Sequence, residues 1–112
     1  MAGEIEREES GSITILSVPA RLDTLLGEVL RGICKELANE GRFRVVVDCE
    51  HLSFLNSIVI GILLSFHQQA LERGGDLKFA NVSVAVEDVF HLANLDKVFH
   101  WYSNVDEAIA AF

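Results

Sequence analysis

The run Val45-Val46-Val47, set within Phe43–Cys49, constrains the fold of this 112-residue chain more than any other feature. Side chains alternate faces along a strand, so three consecutive β-branched apolar residues need cover on both sides of a sheet. Sheets covered on both faces belong to α/β architectures, with helices packed against them. The length suits one such domain, and a chain of this size buries roughly two-thirds of the surface its unfolded form exposes. Apolar residues make up 50% and charged residues 23%, with a single proline, which is the composition of a globular chain rather than a disordered one.

The other segments fit this frame. Ser12–Val18 (SITILSV) alternates polar and apolar residues like a half-buried strand, and Pro19 closes it. Leu22, Leu25, Leu26, Val29, Leu30, Ile33 and Leu37 recur at spacings of three and four. They predict one helix, with Asp23 or Thr24 capping its start and Gly41 its end. Ser57–Arg73 predicts a second helix, stopped by Gly74-Gly75. Its first half, Ile58–Leu64, is apolar on most sides, as in a helix buried in a core or facing a partner. Asp76–Ala80 reads as a short strand. Val82, Val86, Val89, Phe90 and Ala93 mark a third helix, capped by Ser83, and Val98–Tyr102 is a last strand. Asn104 with Glu107 fits a capping box that opens a final helix to Phe112. No internal repeat is evident. The expectation is an α/β sandwich, with a mixed, mostly parallel sheet of four or five strands covered by about four helices.

Nine Lys and Arg against 17 Asp and Glu give a formal net charge of −8. Nucleic-acid binding needs a basic footprint to displace counterions, and no Lys or Arg cluster exists, which argues against nucleic acid as the main ligand. Glu4, Glu6, Glu8 and Glu9, offset only by Arg7, read as a solvated acidic leader over residues 1–11 with room for a short edge strand, ahead of a domain at 12–112. Acids also stand where a secretory signal would carry basic and apolar residues. Cys34 and Cys49, lacking any partner motif, read as buried free thiols in a reducing compartment. The longest apolar stretch is far short of the roughly 20 residues of a membrane span. A cytoplasmic protein without membrane insertion is expected.

Few residues suggest chemistry. Ser57 follows a strand and loop and opens a helix, where a hydroxyl lies near free backbone N–H groups and the positive end of the helix dipole. Its local features read first as a helix cap. The position resembles a nucleophile elbow, but Leu55 and Val59 occupy the two places that motif gives to glycine, which argues against a serine hydrolase. His51, His67, His91 and His100 show no metal-ligand spacing, and His67 and His91 read as surface residues among polar neighbours. Gly74-Gly75 reads as a turn, Trp101-Tyr102 as sheet packing, and Asp48 and Glu50 as solvated strand-end charges. No catalytic set, cofactor site or metal site emerges.

The stretch from Val45-Val46-Val47-Asp48-Cys49 through Leu52-Ser53-Phe54-Leu55-Asn56-Ser57 to the apolar Ile58–Leu64 resembles the STAS domain of bacterial anti-sigma-factor antagonists. In that family a strand leads to a phosphorylatable Asp-Ser-(Ser/Thr)-Gly turn and an apolar helix. Arg21-Leu22-Asp23 is similar to the family's Gly-x-Leu-Asp, and Gly74-Gly75 with Leu77 to its second-helix stop and next strand. Ser83, Val86, Phe90, Leu95 and Val98-Phe99 resemble its third helix and last strand, so the likeness runs from about Ser12 to Phe112. Asn56, Ile58, Val59 and Ala20 depart from the pattern, replacing the family's Asp, second hydroxyl residue, Gly and earlier Gly. The resemblance implies a non-enzymatic binding module whose partner is an anti-sigma factor that is also a serine protein kinase. It implies phosphorylation at Ser57 and a partner face of Asp23, Asn56, Ser57, Ile58 and Val59. The alternative it leaves open is an adaptor subunit of a transporter ATPase or stress-signalling assembly without phospho-regulation; a homodimer is compatible with either.

Overall fold

The computed structural model describes residues 3–112. Strands β1 (Glu6–Ser10), β2 (Ile13–Ser17), β4 (Arg44–Asp48), β6 (Asp76–Ala80) and β7 (His100–Tyr102) form one sheet in the order β1-β2-β4-β6-β7. β1 runs antiparallel to β2, and every other pairing is parallel. Two further short strands, β3 (Arg21–Leu22) and β5 (Phe54–Leu55), pair with each other in parallel. Four helices complete the chain: α1 (Thr24–Asn39), α2 (Ser57–Glu72), α3 (Val84–Leu92) and α4 (Val105–Ala110). This is the mixed, mostly parallel five-stranded α/β sandwich.

The triple valine behaves as its chemistry requires. Val45 and Val47 enter the large core with Leu30, Leu37, Leu63, Phe66, Phe79 and Phe90, while Val46 enters a smaller core on the other face with Ile13, Ile15, Ala80 and Ala108. All three valines are buried. An aromatic cluster closes the β6–β7 end of the large core. Trp101 stacks on Phe79 at 5.0 Å and donates its indole N–H to the Asp96 carbonyl at 2.6 Å.

Several side chains lie differently from expectation. Leu25 and Val29, grouped with the apolar stripe of α1, are 77% and 47% exposed, because the stripe is wider than the face α1 turns to the core. The last strand is shorter than expected: Val98 and Phe99 precede β7 in a turn. Asp48 is half-buried rather than solvated, and its Oδ1 accepts from Asn81 Nδ2 at 3.0 Å and from the Glu50 amide at 3.2 Å. Gly75 is needed for close approach, since a Cβ there would lie 2.0 Å from the Phe43 carbonyl oxygen. Cys49 is buried and Cys34 half-buried; burial pushes both thiols up, Cys34 to about 12, so neither is a ready thiolate.

Candidate functional site

The α1 and α2 N-termini lie side by side, aligned by the β3–β5 pair. That pairing sets Arg21 opposite Phe54 and Leu22 opposite Leu55, and each strand runs directly into its helix. Asp23 caps α1, its Oδ1 accepting from the Leu26 amide at 3.0 Å. Asn56 caps α2 in the same way, its Oδ1 accepting from the Val59 amide at 3.0 Å. Ser57 is therefore not the cap that local sequence suggested. Asn56 fills that role one residue earlier, and Ser57 is the exposed first residue of α2.

The Asn56 carboxamide also works in the other direction. Its Nδ2 donates to Thr24 Oγ1 at 3.1 Å, tying the start of α2 to the start of α1. Below this link the helices approach closely: a Cβ on Gly27 would lie 3.2 Å from Val59 Cγ2. Val59 is thus fully buried and offers no surface to a partner, contrary to its place in the expected partner face. The other four members of that set, Asp23, Asn56, Ser57 and Ile58, lie together at this end of the molecule, three exposed and Asn56 half-buried. Two apolar residues add to them: Leu25, 77% exposed, and Phe54, over whose ring the Arg21 guanidinium sits at 4.3 Å.

The register exposes a recurrence that the sequence scan passed over. Arg21-Leu22-Asp23-Thr24-Leu25-Leu26 and Phe54-Leu55-Asn56-Ser57-Ile58-Val59 share leucine, an Asx cap, a hydroxyl residue and two aliphatics at matching places. Six residues separated by most of a helix and strand produce no periodic signal, but the Leu-Asx-hydroxyl-aliphatic-aliphatic spacing is visible once the two helix starts are compared.

A second polar cluster lies at the N-terminal end of β6. Asp76 Oδ2 accepts from Lys78 Nζ at 2.9 Å and lies 2.8 Å from His100 Nδ1. His67, expected at the surface, is 2% exposed. Its Nδ1 is 3.3 Å from Asp76 Oδ1, outside hydrogen-bond geometry, and its ring lies against Phe99 at 4.8 Å. Burial lowers the His67 imidazole against the pull of Asp76. Burial alone would raise the Asp76 carboxyl, but bonds from Lys78 and His100 outweigh it and hold the group below the usual carboxylate range. Among the described residues, no group of three or more His, Cys, Asp or Glu is arranged to hold a metal ion.

Residues 4–108 match the STAS domain. The chain belongs to the STAS domain family. Among solved structures, this STAS domain is similar to a candidate anti-sigma factor antagonist, TM1081 of Thermotoga maritima (TM-score 0.86, 19% identity, 96% of this chain and 92% of that one). It is also similar to Bacillus SpoIIAA, an anti-sigma factor antagonist solved in phosphorylated and unphosphorylated forms; the unphosphorylated form gives a TM-score of 0.83 at 21% identity, covering 96% of this chain and 94% of that one. Transporter STAS domains match too. The murine anion transporter Slc26a9 gives a TM-score of 0.71 at 17% identity over 92% of this chain and 18% of that one. At these identities the likeness is one of fold. Among the described residues of this STAS domain, no helix is long and apolar enough to cross a membrane.

Proposed function

We propose that this STAS domain is a cytoplasmic anti-sigma-factor antagonist. In this reading it binds an anti-sigma factor that is also a serine protein kinase and is switched off by phosphorylation at Ser57. The observation that carries the proposal is the placement of Ser57: exposed, first in a 16-residue helix, and relieved of capping by Asn56. Asp23, Asn56 and Ile58 beside it, with Leu25, supply a mixed polar and apolar surface for a protein partner. The domain acts as the kinase's substrate.

The switch is local electrostatics. A phosphoryl group on Ser57 Oγ adds about −1.5 to −2 charges where a partner must make contact. The first-turn N–H groups and helix dipole accept that charge with little rearrangement, so the cost falls on the complex rather than the fold. The test is to express tagged wild type and Ser57→Glu in the native host and identify what each retains. A histidine-kinase-like ATPase held by wild type and lost from Ser57→Glu is the expected result.

A second reading is an adaptor subunit, favoured by the exposure of Leu25 and Ile58, since a permanent interface accommodates more apolar surface. Identical partners on both baits, transporter components among them, would support the adaptor and remove the phospho-switch.

A further inference from the structure

We infer that the groove between α1 and α2 is a second docking surface, and that it takes an acidic amphipathic helix of a protein partner. The groove lies on the flank of the helix pair. On α2 it runs from Ile62 to Gln69, about 8 to 18 Å along the helix from Ser57. The inference therefore stands apart from any phosphorylation of Ser57.

The groove follows from how the two helices meet. They touch where Gly27 admits Val59, and beyond that contact they leave a hollow of about 450 Å³, a volume within the range of natural ligand pockets. Its floor is apolar. Cys34 and Ala38 of α1 are half-buried there, and Ile62 and Phe66 of α2 are 7% and 2% exposed. Its rim is cationic. Arg31 and Lys35, the only Lys or Arg residues of α1, stand exposed on it four positions apart.

Charge singles out the occupant. The chain carries a net charge of −8, yet among the described residues no Asp or Glu lines this groove. The acids of α1 leave the two cations largely uncompensated. Glu36 turns to Arg7 on β1, at 3.8 Å, and Glu28 reaches Arg31 at 3.5 Å between exposed groups, where solvent screens the pair. Lys35 has no carboxylate partner among the described residues. Nor does α2 supply one, because its single Asp, Glu, Lys or Arg is Glu72, at its last position. The acids gather instead around a hollow past the ends of β2 and β4, lined by Glu4, Glu6, Asp48 and Glu50.

Two cations over an apolar floor match carboxylates over an apolar face. Arg31 and Lys35 are separated by about 6 Å along the α1 axis, and Glu residues at i and i+4 of a partner helix have the same rise. A leucine at i+3 shares that face and reaches the floor between them, the usual way a helix seats in a groove.

The test uses the full chain and a fluorescein-labelled helical peptide of roughly 18 residues, long enough to hold a helix in water. The peptide carries Glu at i and i+4 and Leu at i+3 and i+7. Fluorescence anisotropy reads its affinity, and amide NMR shifts read where it binds. The expected result is saturable binding with shifts centred on Arg31–Asn39 and Ile62–Gln69, retained in Ser57→Glu. Affinity is expected to fall about tenfold or more when Arg31→Glu and Lys35→Glu are combined, and likewise when the peptide's Glu residues are replaced by Gln. Ser65→Trp, on the exposed rim, fills the groove without changing its charge and is expected to weaken binding as well. The Gln peptide needs no substitution in the protein, so the charge comparison holds whatever the variants do to the fold. Absence of saturation, equal affinity for the Glu and Gln peptides, or shifts confined to the Ser57 end overturns the inference and leaves the proposed function standing. Self-association of the chain alone in analytical ultracentrifugation, lost when Arg31→Glu and Lys35→Glu are combined, gives the groove to a second copy and also overturns it.

Discussion

Asn56 does two jobs with one side chain, and this separates it from the serine that follows. Replacing Asn56 by alanine removes the α2 cap and the link to Thr24. A lost cap costs about 1 kcal/mol, so Asn56→Ala is expected to lower unfolding stability by at least that much in urea denaturation. Ser57→Ala changes an exposed residue that caps nothing, and its stability is expected to stay within about 0.5 kcal/mol of wild type. Loss of about 1 kcal/mol in Ser57→Ala would return the capping role to Ser57. Local sequence could not distinguish these assignments, because both residue types cap helices and stand next to each other. His67 was misplaced for a different reason. The polar residues after it, Gln68 and Gln69, suggested a surface, but His67 continues the Val59, Leu63, Phe66, Ala70 stripe at helical spacing, and packing followed that stripe. Gly75→Ala is a third residue-scale test. Its new Cβ would fall on backbone rather than a movable side chain, so a loss of about 1–3 kcal/mol is expected by thermal or urea unfolding.

At the scale of elements, strong patterns were legible and short ones were not. The Val45-Val46-Val47 run specified a strand buried on both faces because any other placement leaves apolar surface in water. The long apolar spacing of α1 and α2 placed both helices to within about two residues, as boundary fraying allows. β3 and β5, two residues each, carry no pattern and exist only because the segments before α1 and α2 meet in space. β1 shows how an edge element is held by side chains. Buried Thr14 on β2 donates Oγ1 to Glu9 Oε2 at 2.6 Å and accepts from Arg42 Nε at 3.0 Å, while Arg7 pairs with Glu40 at 2.6 Å. Thr14→Val keeps the shape but leaves a partly buried donor and acceptor without this partner, a loss of about 1–3 kcal/mol. The expected signature is faster hydrogen exchange at the β1 amides with α1 and α2 protection retained. Uniformly faster exchange across the sheet would show that the Thr14 contacts support the whole fold instead.

For the whole molecule, acid sensitivity follows from the Asp76 cluster. His67 has a folded-state affinity for protons below that of the unfolded chain, so neutral His67 is favoured by folding. The stability this contributes is full above about pH 6.5, the ordinary histidine value, and declines as pH falls toward the lower folded value. Asp76 adds a second loss, but only when pH falls through its own depressed range, well below that of His67. The exposed His91–Asp96 pair acts in the opposite direction, because Asp96 raises His91, but solvent screens it. Urea unfolding at pH 7.5 and pH 5 is therefore expected to show lower stability at pH 5, with the difference reduced in His67→Leu. An unchanged difference in that variant would assign the acid response to other groups. The acidic strand β1 also bears on how copies of the chain meet. Open sheet rims invite further strands to dock, the first step toward polymers. Here one rim carries exposed Glu6, Glu8 and Glu9, and the other, β7, offers only three residues. A second copy approaching the first rim would set carboxylates against carboxylates, so contact between copies is left to the helical faces, where Leu25, Ile58 and Leu92 stand clear of the core.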